Sequence, residues 1–124
     1  MDITPLIPEG RQIIQSYGPA GFKVSGQRYK TGIAVTPENT DIWTTKKLND
    51  LSIDDFMSIL EKADTYDVCL LGTGSVSVFP ESSLLKELKL KGLKPDIMDS
   101  GAACRTYNVL MAEDRRVIAL LLPL

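Results

Sequence analysis

Cys104, Arg105, Tyr107 and Asn108 place a thiol, a guanidinium, a phenol and an amide within two turns of one helix start. The stretch Met98-Asp99-Ser100-Gly101 runs extended, turns and opens that helix. A thiol in a first helical turn, beside a cation, is lowered in pKa, so Cys104 is the candidate nucleophile of the chain. Asp99 is best read as the N-cap, although a carboxylate there also suits a general base. A second punctuated stretch, Gly72-Thr73-Gly74, ends an apolar run of strand type. Ligands of open α/β sheets gather where strand ends meet helix N-termini. Glycine lets backbone N–H groups approach closely, and a helix N-terminus favours an anion. The two loops together outline a small anion or ligand site. Its candidate contacts are Gly72, Thr73, Gly74, Asp99, Ser100, Arg105 and Asn108. The triplet is not the dinucleotide pattern GxGxxG, and no GxxxxGK[ST] loop is present.

Each of these residues also has a plainer reading. The glycines make tight turns. Helical projection gathers Ala103, Cys104, Tyr107, Leu110 and Met111 on one side and turns Arg105 to the other. Cys104 and Tyr107 then belong to the core, as does Cys69 within its apolar run. Arg105 contacts an anion or a partner, or pairs with Glu113 or Asp99. Trp43 and Phe79 suit a partner anchor wherever they are exposed.

The chain has no histidine. That excludes a Ser-His-Asp triad, a Cys-His pair and any His-containing zinc site, and two cysteines cannot make a four-thiolate site. A general base must be a carboxylate, lysine, tyrosine or thiolate. Neither a metal nor a cofactor is expected. The net charge of −2 and the lack of a Lys/Arg block speak against nucleic acid. At 124 residues the chain is expected to form one domain over 1–124, with 1–10 as an arm across it. No apolar run of about 18 residues is present, so no membrane insertion is expected. Asp2 and Glu9, with no basic start before an apolar stretch, argue against a signal or transit peptide. The expected location is the cytoplasm of a bacterium-like cell.

The elements that must position these groups follow from periodicity. Short strands are expected over 12–16 and 21–25, about the turn Tyr17-Gly18-Pro19-Ala20-Gly21. A Gly-first turn at Gly26-Gln27 follows, then one strand through Tyr29, Thr31, Ile33 and Val35. Asp41 to Thr44 pairs back, completing an antiparallel meander. Ser52 and Asp55 form a capping-box pattern, with Leu51 and Phe56 placed as a staple. The helix they open presents Phe56, Ile59, Leu60 and Ala63. Asp67 to Gly72 is a strand buried on both faces. A small polar stretch leads to Pro80 and a second helix lined by Leu84, Leu85 and Leu88, closed by Gly92. Leu93 to Met98 is a strand, Ala102 to Glu113 a helix, and Arg116 to Leu122 a strand. This order predicts an α/β layer with a partly parallel sheet.

The segments Tyr17-Gly18-Pro19-Ala20-Gly21-Phe22, Gly26 with Tyr29, Trp43, Leu71-Gly72-Thr73-Gly74 and Met98 through Asn108 resemble a small, widespread family. It includes a mitochondrial respiratory complex I assembly factor and an adipogenesis-associated protein, and this sequence is similar to its bacterial branch. The resemblance covers about residues 12–122. It implies a three-layer α/β fold with a mixed central sheet and no known catalysis. Its mitochondrial members imply a role in binding and assembling other proteins. The function expected is therefore a non-enzymatic protein-binding or assembly module. Its partner would be another protein, including a subunit of a membrane complex. The alternative is a ligand-binding protein or enzyme using the two glycine loops. A homodimer through the first hairpin is a further option.

Overall fold

The computed structural model describes residues 10–124. The expected arm falls largely on residues 1–9, outside the described residues. The chain first makes β1 (Ile14–Gly18), β2 (Gly21–Val24) and β3 (Gln27–Tyr29), an antiparallel three-stranded sheet. It then crosses into a five-stranded sheet. The strands there are β4 (Gly32–Val35), β5 (Thr40–Thr44), β6 (Val68–Gly72), β7 (Asp96–Met98) and β8 (Val117–Leu121), in the order β5-β4-β8-β6-β7. β4 is antiparallel to β5 and β8, whereas β6 is parallel to both β8 and β7. Three α-helices, α1 (Met57–Leu60), α2 (Ser82–Leu90) and α3 (Ser100–Ala112), and three 3-10 turns, over Leu48–Asp50, Ile53–Phe56 and Ala63–Thr65, complete the described elements.

Three layers result because β6 and β8 are apolar on both faces. Leu70, Val117, Ala119 and Leu121 face the meander and α3. There they meet Ile14, Tyr17, Phe22, Val24, Ala103, Tyr107 and Met111. Cys69, Leu71, Ile118 and Leu120 face the other way, onto Phe56, Ile59, Leu84 and Leu88. The two-residue period of a strand sends alternate side chains to the two cores, so unbroken apolar runs are what this position requires.

Three local expectations are corrected. The run Tyr29 to Val35 is not one strand. Tyr29 pairs with Phe22 in the small sheet, while Ile33 pairs with Ile42 and Leu121 in the large one. The chain changes sheets at Lys30-Thr31, and alternation alone does not record which sheet a residue joins. The hairpin turn is Ser25-Gly26, set between Val24 and Gln27. Both residues have positive φ (45° and 86°), the two-residue geometry that matches strand twist. The helix expected after Ser52 is a chain of short turns: a 3-10 turn over Ile53–Phe56, α1, and another 3-10 turn over Ala63–Thr65. Phe56, which ends the first of these turns, and Ile59, in α1, are buried three residues apart, a spacing that an α-helical turn and a 3-10 turn both place on one face. The Asp55 carboxylate still accepts the Ser52 N–H at 2.9 Å, as a capping box requires.

Candidate functional site

The two glycine turns lie against each other at the rim formed by the C-terminal ends of β6, β7 and β8. Thr73 N–H donates to the Met98 carbonyl at 2.9 Å, and Ser100 N–H donates to the Gly74 carbonyl at 2.8 Å. The Ser100 hydroxyl accepts the Gly74 N–H at 2.9 Å and donates to the Leu122 carbonyl at 2.6 Å. Gly72 is required here because an added Cβ would sit 2.8 Å from Ser100 Cα and 2.9 Å from its Oγ. Asp99 caps α3 by accepting the Ala102 N–H at 2.8 Å. The amides of Thr73, Gly74 and Ser100, which would cradle an anion, are thus donated to protein acceptors, and Ser100 is fully buried.

The rest of the α3 motif fastens the meander. Asn108 grips the backbone of Ile14 with both ends of its amide. Its Oδ1 accepts the Ile14 N–H at 3.0 Å and its Nδ2 donates to the Ile14 carbonyl at 2.8 Å. The clamp falls where the β1–β2 register slips, between Ile14 and Ser16. The Tyr107 hydroxyl donates to the Gln12 carbonyl at 2.8 Å. Arg105 donates to the Tyr17 hydroxyl and lies 5.9 Å from that ring's centroid. Its partner is neither Glu113 nor Asp99. The Tyr17 ring packs on Gly101, where a Cβ would come within 2.7 Å of it.

The thiol chemistry considered for Cys104 meets a physical obstacle. Burial pushes the thiol up to about 12, against which the Arg105 cation acts only as a smaller opposing influence. The side chain has no exposed surface, so it presents no thiolate at neutral pH. Burial, and secondarily Asp96, raise Cys69 to about 12 as well. Among the described residues, no three acid or thiol side chains converge as metal ligands. No helix among them is long and apolar enough to cross a membrane.

Sequence reasoning missed one surface feature and saw a second only in its anchor candidate Phe79. A cleft of about 530 Å³ lies at the opposite rim, among Arg11, Glu38, Tyr66, Asp67, Asp114 and Arg115. It exceeds the recess of about 400 Å³ beside Thr73 and Gly74. Its charges are largely internally matched: Arg116 bonds Asp67 at 2.7 Å, and Arg11 pairs with Asp114. The second feature is the stretch after Gly74, read as merely small and polar. Val76, Val78 and Phe79 stand out of the surface there, 62%, 44% and 71% exposed. The loop carrying them is held in shape by the Thr73 hydroxyl, which donates to the Val76 carbonyl at 2.6 Å and accepts the Val78 N–H at 3.1 Å. Alternating valines in Ser75-Val76-Ser77-Val78-Phe79 with no strand to join were the available signal. Trp43, the other candidate anchor, is half-buried. It meets Phe56 edge-on at 5.4 Å and donates to the Asp55 carbonyl at 2.8 Å.

The family model described as a protein of unknown function (DUF498/DUF598) matches residues 14–122. A zebrafish protein named NADH dehydrogenase [ubiquinone] 1 alpha subcomplex assembly factor 3 is 31% identical, over 90% of this chain and 64% of its own length. The human protein of the same name is 27% identical, over 89% of this chain and 60% of its own. The chain thus spans somewhat under two thirds of these relatives. Among solved structures, a Bordetella parapertussis protein superposes with a TM-score of 0.80 at 31% identity, over 94% of this chain and 99% of that one. One described as an outer membrane protein from Bartonella henselae gives 0.79 at 34%, over 92% and 96%. A family match across nearly the whole described chain, with the α3 motif and both glycine turns inside it, places this chain in the DUF498/DUF598 family.

Proposed function

We propose that the chain is a non-catalytic, assembly-factor-like protein that docks on another protein through the loop 75–79. The observation that carries this reading is the set of three exposed apolar side chains, Val76, Val78 and Phe79, on a loop braced by Thr73. Exposed apolar side chains on a pre-shaped loop lose little entropy on docking, and a central aromatic is the usual anchor of an interface. The polar groups that an anion site would need at Gly72, Thr73, Gly74, Asp99 and Ser100 are occupied within the protein, which favours docking over ligand chemistry. The names of the relatives support a partner from a respiratory NADH dehydrogenase or its precursors. The cytoplasmic side of a membrane is the matching location.

The test is a photo-reactive benzoylphenylalanine in place of Phe79, crosslinked in the native cell, together with native-gel analysis of a deletion strain. The expected result is a crosslink to an NADH dehydrogenase subunit and loss of the assembled complex. The wild-type chain should restore it, and the Val78→Ser/Phe79→Ser variant should not. An unchanged amount of assembled complex in the deletion strain would overturn the proposal.

A further inference from the structure

An edge strand presents unpaired backbone donors and acceptors, and proteins ordinarily blunt such edges with short length, proline, lysine or a covering element. The described edges of this molecule are treated unequally. β7 has three residues and follows Pro95. β3 has three and carries Arg28. β1 is gripped by Asn108 at Ile14. β5 has five residues, Thr40-Asp41-Ile42-Trp43-Thr44, with neither lysine nor proline. It carries Asp41 and a register shift beside Trp43, and its Thr40 hydroxyl donates to the Gln12 side-chain oxygen at 2.7 Å. Among the described residues β4 is its one neighbour in the sheet. Thr36 N–H meets the Asn39 carbonyl at 2.9 Å at the hairpin end. By antiparallel alternation, Thr40 and Ile42 then turn their backbone N–H and C=O away from β4.

The two sides of that edge differ in chemistry. On one side Ile42 is 67% exposed. On the other, Asp41 opens onto a recess of about 350 Å³ shared with Asp54, Asp55, Lys62 and Tyr66, whose rim Ile42 also touches. Three carboxylates there face one ammonium of the recess. Lys46, 3.2 Å from Asp55, closes only that pair, and Asp55 also caps Ser52. Asp41 accepts from the Asn39 amide at 3.2 Å, and among the described residues neither Asp41 nor Asp54 makes an ion pair.

We propose that the outer edge of β5 is a strand-addition site for an extended segment of a partner protein. Such a segment would be apolar on alternate residues, beside Ile42, and basic on the others, beside Asp41 and Asp54. Main-chain bonds to Thr40 and Ile42 supply the affinity, and the alternating side chains supply the choice of partner. None of the residues this site uses, Thr40 to Ile42 and Asp54, belongs to the loop 75–79, so either can fail without the other.

The experiment uses the purified full chain and capped seven-residue probes. One alternates valine with lysine, one alternates valine with glutamate, and one is the valine-lysine probe N-methylated on alternate residues. Binding is read by fluorescence anisotropy and by amide NMR shifts. The expected result is binding of the valine-lysine probe with shifts concentrated in Thr40–Thr44, and loss of binding on N-methylation. Asp41→Lys/Asp54→Lys should weaken that probe at least about tenfold and favour the valine-glutamate probe, since like charges across an interface are strongly excluding. Equal binding of the N-methylated probe, shifts confined to other elements, indifference to the charge reversal, or no binding of any probe would each overturn the proposal.

Discussion

Asn108 shows how much one side chain holds. Both of its amide ends are engaged with Ile14, 94 residues away, in a buried setting. Removing it leaves a buried backbone donor and acceptor unmatched. Asn108→Ala is therefore expected to cost about 2–4 kcal/mol, read by urea unfolding. Asn108→Asp should be no better at neutral pH, because it sets a carboxylate against the Ile14 carbonyl. Gly72→Ala should cost about 1–3 kcal/mol, since the backbone of Ser100 stands in the way and cannot swing aside like a side-chain tip. The buried thiols set an alkaline limit. Cys69 and Cys104 are raised by burial to about 12 from an ordinary value of 9.0. Unfolding lets them ionise near 9 while the folded chain keeps them protonated. Their contribution is whole below that value and lost as pH climbs toward 12. Burial of the Tyr107 phenol acts in the same direction. Stability measured from pH 8 to 11 should fall, and the double Cys→Ala variant should show a shallower fall. Native protein at pH 7.5 should resist thiol reagents that label both cysteines in urea.

At the level of elements, the strands with the plainest patterns were the easiest to read. The apolar runs of β6 and β8, the glycine after α2 and the cap at Asp99 were visible because each rests on a local rule. Gly92, with φ +96°, does close α2, and Leu93 N–H reaches back to the Leu88 carbonyl at 2.9 Å. The segment 53–65 misled because spacing near three residues satisfies an α-helix and a string of tighter turns alike. The juxtaposition of Gly72-Thr73-Gly74 with Ser100 was legible from topology. What was not legible is that the Ser100 hydroxyl would be claimed by Gly74 and Leu122, since a residue's partners across 26 and 22 positions leave no trace in local pattern. Arg105 is a similar case: projection sent it to the outer side correctly, but its contact with Tyr17 depends on how β1 docks. The loop after β6 makes its own prediction. Thr73→Val removes the hydroxyl that shapes 76–78 and should weaken partner crosslinking from position 79. The melting temperature should move only modestly, because the loop is exposed.

Across the whole molecule, one helix joins two sheets. α3 packs on β8 and β6 with Ala103, Cys104, Tyr107 and Met111, bonds β1 with Asn108, and bonds Gln12, just before β1, with Tyr107. The long motif at 98–108 reads as chemistry in the sequence and as architecture in the structure, and that is why its residue types invited a reaction. The apolar loop and the open β5 edge, by contrast, belong to the exterior, which periodicity describes least.

The placement of α3 also bears on how the chain is born. β1, β2 and β3 are neighbours in sequence and leave the ribosome together, ahead of α3. Their anchors Asn108 and Tyr107 emerge 94 and 95 residues after the positions they bond. Until then the meander carries Phe22 and Val24 without the α3 side chains Ala103, Cys104, Tyr107 and Met111 that complete their core. A stalled or truncated product ending before α3 should therefore be sticky, and a strong substrate for chaperones, even though most of its strands have already been made.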